Sequence, residues 1–67
     1  MLYHLYPYDR VYSGLRYVGT LDSLRMQARL LYVSWILMRE DGLVMAFTYD
    51  TAKHIGALKA RYQEVSR

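Results

Sequence analysis

The chain has no cysteine, a single proline at Pro7, and four scattered glycines at positions 14, 19, 42 and 56. Without thiols there is no disulfide framework and no thiolate metal site, and such a composition suits a reducing, cytoplasmic setting. Isolated glycines do not make a phosphate-cradling loop. Long apolar runs are missing as well. The stretch near Leu30 to Met38 is broken by Ser34 and is far below the ~20 residues that span a bilayer. Residues 1–20 carry Tyr, His, Asp and Arg throughout, so they do not read as a secretory signal. No membrane partner is expected.

Catalytic groups are equally sparse. His4 and His54 lie far apart, outside any HxxxH or HExxH spacing, and read as surface residues. Asp50, Thr51 and His54 are neighbours, but Asp50 and Thr51 are better explained as helix-capping residues than as parts of a nucleophilic site. Glu40-Asp41 falls in a turn, where carboxylates are solvated. A chain of 67 residues can hardly supply the second shell that a catalytic constellation needs. No enzyme, metal or cofactor is therefore expected.

What the chain does have is apolar and aromatic content. It is 54% hydrophobic with eight tyrosines, and its charge of +3 comes from seven arginines and two lysines against six carboxylates. A net charge of this size is ordinary for a small domain and mildly favours acidic partners. The preference for Arg says more, because the guanidinium fork binds carboxylate or phosphate bidentately. Tyr, Trp and Arg are also the residues enriched among binding hot spots.

Residues 34–49, SWILMREDGLVMAFTY, read as a β-hairpin around Asp41-Gly42. A two-residue loop there sets Arg39 against Val44, Leu37 against Ala46 and Trp35 against Thr48. It also sets Glu40 against Leu43, Met38 against Met45 and Ile36 against Phe47. Both faces are then apolar. The face with Ile36, Met38, Leu43, Met45 and Phe47 is the larger and is expected to be the core side. The face with Trp35, Leu37, Val44 and Ala46 is either covered by the chain's own terminal elements or is a protein-protein interface.

Around the hairpin, Leu2 to Tyr6 reads as a strand that Pro7 stops. Residues 7–10 follow as a turn, and residues 11–18, VYSGLRYV, as a second, bulged strand. Thr20 is placed to cap a helix with a stripe of Leu21, Leu24, Ala28 and Leu31, ending at Leu31 or Tyr32. Asp50 or Thr51 caps a second helix running toward Val65, with Ile55, Leu58, Tyr62 and Val65 on one stripe. Ala52, Gly56 and Ala60 form a line of small residues, expected where another element approaches closely.

The expected fold is α+β: one compact domain over residues 1–67, a small two-layer sandwich with two helices on one face of an antiparallel sheet, ordered ββαββα or βαββα. The other sheet face stays partly open. The expected function is a non-enzymatic protein-binding module that blocks or modulates a larger protein, in the manner of small phage or mobile-element inhibitors. Its contacts would come from Trp35, Leu37, Arg39 and Val44, with Tyr8, Arg10, Tyr12 and Arg16. An apolar face could also be satisfied by a second copy in a homodimer. The alternative is a small nucleic-acid-binding protein using Arg10, Arg16, Arg25 and Arg29.

Overall fold

Both central strands of the sheet are apolar on both of their sides, and the rest of the architecture follows from that. The computed structural model describes residues 1–7 and 16–65, with side chains described through residue 60. Strand β1 (Tyr3–Pro7) pairs with β2 (Tyr17–Gly19) on one side and with β3 (Trp35–Arg39) on the other, and β3 pairs with β4 (Val44–Phe47). The sheet order is β2-β1-β3-β4 and every pairing is antiparallel. Helix α1 (Leu21–Leu30) joins β2 to β3, while a 3-10 turn over Tyr49–His54 leads from β4 into helix α2 (Ile55–Val65). Since β2 and β3 both oppose β1, they run parallel to each other and α1 makes the crossover between them.

The α+β class and the order ββαββα are as expected; the difference is in where the helices lie. In register, Leu5 stands opposite Leu37 and Tyr6 opposite Ile36, so side-chain alternation sends these two pairs to opposite faces. Leu5 and Leu37 pack with Leu24 and Ala28 of α1. Tyr6, Ile36 and Met38 pack with Leu58 of α2. Each face thus carries its own helix. The expectation of two helices on one face assumed a single core, but a strand such as Trp35–Arg39, apolar at consecutive positions, is built to be covered on both sides. Two small half-cores separated by the sheet satisfy it.

Helix α1 begins where expected. Thr20 is extended at φ −75° and its hydroxyl accepts from the Ser23 N–H at 3.3 Å, with Asp22 in the first turn complementing the helix dipole. It ends at Leu30, because Leu31 is already extended, and the Leu31 N–H closes the last turn on the Ala28 carbonyl at 3.2 Å.

The hairpin is centred as expected but its loop has three residues, Glu40 to Gly42. The Arg39 N–H donates to the Leu43 carbonyl at 2.8 Å, and the Gly42 N–H donates to the Arg39 carbonyl at 2.8 Å. Gly42 alone carries the left-handed backbone, at φ 90°, and no non-glycine among the described residues has positive φ. This is a turn with a glycine bulge, which spares Asp41 the strained conformation a two-residue loop would demand. A second irregularity follows at once. Ile36–Phe47 and Leu37–Ala46 pair as expected, but Met38 meets Val44, leaving Met45 as an extra residue. The slip sends Val44 to the α2 side and Met45 to the α1 side.

The second helix is reached through Thr51, which is fully buried. Its hydroxyl shares one hydrogen between the Thr48 carbonyl at 2.7 Å and the Trp35 carbonyl at 3.0 Å. Thr51 is therefore a buried fastener between β3 and the 3-10 turn, not a helix cap. Asp50 instead accepts from the Ser34 hydroxyl at 2.9 Å. The line of Ala52, Gly56 and Ala60 faces solvent, and nothing lies within 4 Å of where a Cβ on Gly56 would stand. The expected close approach is absent there.

Candidate protein-binding surface

The sequence-expected surface on the hairpin does not come together. Leu37 is fully buried under α1, Trp35 is partly buried in the same cluster, and Val44 has crossed to the opposite face beside Met38. The cause is α1, which covers the face expected to stay open. Tyr8, Arg10 and Tyr12 lie outside the described residues, as do most of the expected second strand and the turn after Pro7.

Two of the expected contact arginines, Arg39 and Arg16, are engaged within the chain. Arg39 donates through Nε and Nη2 to the Asp41 carboxylate, which also accepts the Leu43 N–H at 3.1 Å. The Arg39 hydrogen bond, then that of the Leu43 N–H, holds the Asp41 carboxyl down to about 2. This pair braces the hairpin turn. Arg16 donates from Nε to Nδ1 of His4 at 2.9 Å. His4 is 8% exposed, not the surface residue expected, because β1 is central in the sheet. Its ring stacks near that of Tyr6, centroids 6.3 Å apart. Burial first, and then the Arg16 charge, push its pKa below the ordinary value, against a smaller opposing pull from Glu40. A neutral ring accepting at Nδ1 is what this geometry requires.

No cluster of three or more metal-ligating side chains occurs among the described residues, and no helix there is long and apolar enough to cross a membrane. An open hollow of about 520 Å³ lies beside the 3-10 turn, lined by Ser34, Tyr49, Asp50, Ala52 and Lys53. Its Ser34 and Asp50 side chains are hydrogen-bonded to each other.

Apolar side chains are exposed at both ends of the sheet, among them Leu2, Val18, Leu43, Phe47 and Tyr49, and also along the outside of α1. Leu24 and Ala28 point to the sheet, while Met26 and Leu30 are 66% and 67% exposed. One turn apart, they sit on the far side of the helix from the buried stripe. The chain continues into Tyr32, fully exposed, and Val33, 42% exposed. Arg25 and Arg29, also exposed, flank Met26 and Leu30, and neither makes an ion pair among the described residues. The arginines were legible as the outer face of an amphipathic helix. Met26 and Leu30 stand outside the 3- and 4-residue stripe through Leu21, Leu24, Ala28 and Leu31 that marks the helix in the sequence; their own four-residue spacing on the opposite side is the signal for them. No protein-family model, curated protein or solved structure matches the chain.

Proposed function

We propose that this protein is a non-enzymatic binding module that acts stoichiometrically on a larger protein, docking through the outer face of α1 and the residues that follow it. The observation that carries this reading is the exposure of Met26 and Leu30 at 66% and 67%, on a helix whose other side already fills a core. Scattered single apolar residues on a surface need no explanation, but an i, i+4 pair that runs on into an exposed Tyr and Val is the anchor pattern of a helix laid into a groove. Tyr32 adds a large flat side chain with a polar tip, the kind enriched at interfaces.

A nucleic-acid reading keeps Arg25 and Arg29 as its cations, with Tyr32 as a stacking platform. The protein reading is preferred because Met26 and Leu30 occupy the middle of the face, where a backbone-tracking surface needs positive charge.

The test is photocrosslinking in cells that make the protein, with a benzophenone side chain installed at position 33 and, as control, at position 53. A discrete protein adduct from position 33, absent from position 53 and lost in Met26→Asp with Leu30→Asp, supports the proposal. Equal labelling from both positions, or an adduct indifferent to the double substitution, refutes it.

A further inference from the structure

We infer that the partner presents a concave site with an apolar floor and carboxylates along one side, an inference that rests on the docking surface proposed above. Around α1, successive residues advance by about 100°. On that wheel Met26 and Leu30 form the outward ridge. Arg25 and Arg29 form one flank, with Asp22 between them and the ridge at the N-terminal end, and Ser23 and Gln27 form an uncharged opposite flank. The surface is thus an apolar ridge with cations on one side only. Because the inner side of α1 is fixed on the sheet by Leu24 and Ala28, only the convex outer half is available, and a convex ridge fits a concave partner.

Charge decides what lines that concavity. Arg25 and Arg29 have no ionic partner among the described residues, so seating the ridge in an apolar groove would strip water from two guanidinia unless the partner supplies acceptors. Carboxylates answer the planar, two-pronged donor geometry of Arg. A net charge of +3 adds long-range attraction toward an acidic surface and speeds encounter. A second copy of this chain is the poorer match. Two α1 faces brought together on a two-fold axis would set four guanidinia against the two Asp22 carboxylates, with both whole chains positive.

The experiment uses the benzophenone chain at position 33, with adduct yield compared across three further backgrounds: Arg25→Glu with Arg29→Glu, Met26→Asp with Leu30→Asp, and Lys53→Glu. Circular dichroism first confirms that each folds, as expected for exposed positions. The expected result is an adduct with a foreign protein that falls about tenfold or more on the double arginine reversal, weakens as salt is raised in extracts, and is unmoved by Lys53→Glu. Its crosslinked peptide, mapped by mass spectrometry, should lie beside Asp or Glu residues and apolar ones. An adduct lost in the Met26 and Leu30 background but undiminished by the arginine reversal overturns the acidic partner while leaving the docking surface standing. An adduct surviving both pairs, or no adduct at all, overturns the docking surface itself. An adduct between two copies of this chain, or with nucleic acid, overturns the inferred partner.

Discussion

Leu37→Ala should cost folding stability, not partner binding alone. Leu37 is fully buried, opposite Leu5 across β1 and Ala46 across β4, and it meets Leu24 and Ala28 of α1 from above. Truncation removes three carbons from a site whose walls are two strands and a helix, so little collapse into the space is possible. Such a change costs about 2–5 kcal/mol, toward the upper half where the surroundings cannot relax. Domains carry roughly 0.05–0.15 kcal/mol of stability per residue, so a chain of 67 residues stands to lose a large fraction of its total. Met38→Ala, one residue on and on the opposite face against Tyr6, Ile36 and Leu58, should cost a similar amount through the other half-core. Leu30→Ala should stay within about 0.5 kcal/mol, as surface substitutions do. Urea unfolding followed by circular dichroism reads all three. A Leu37→Ala midpoint equal to that of the parent would refute burial beneath α1.

Three further outcomes follow from local geometry. Gly56→Ala should raise stability by about 0.5–1 kcal/mol, since the position is helical, exposed and has room for a methyl group; a fall in thermal midpoint would mean that something packs there after all. Gly42→Ala should lower stability by about 1 kcal/mol or more, because φ 90° strains any side chain, and a neutral result in urea would contradict the glycine-bulge turn. Stability should also fall with acid below the ordinary His pKa of 6.5. The unfolded chain protonates His4 there, while the folded ring, buried and held by Arg16, resists to lower pH, so unfolding takes up a proton across that window. Replacing Arg16 by Gln should raise the folded His4 pKa measured by NMR, and an unchanged titration would remove Arg16 as a cause.

The sequence carried the elements better than their assembly. Asp41-Gly42 located the hairpin and Thr20 located the start of α1, because turn and cap chemistry act within a few residues of themselves. The pairs Ile36–Phe47 and Leu37–Ala46 were legible from alternation beyond the turn. The bulge at Met45 was not, since Val44, Met45 and Ala46 are all apolar and either register buries them. Its effect was to exchange Val44 and Met45 between faces. The double-sided apolarity of the hairpin was visible, but which helix covers which face depends on the crossover through α1 and on the direction taken after Thr48, and these are long-range facts. The hairpin face around Trp35 and Leu37 is closed for that reason. Once α1 lies over Leu37, the face expected to be open is closed, and Met26 and Leu30 on the outside of the same helix are among the apolar side chains left exposed.

The most direct measurement is a methyl NOESY spectrum of the protein in solution. Leu37 methyl groups should show contacts to Leu24 and Ala28, Ile36 and Met38 methyls should show contacts to Leu58, and Met26 and Leu30 should show none to the sheet. Contacts from both Leu24 and Leu58 to Ile36 and Met38 would put both helices on one face, and would return the hairpin surface around Trp35 and Leu37 to solvent.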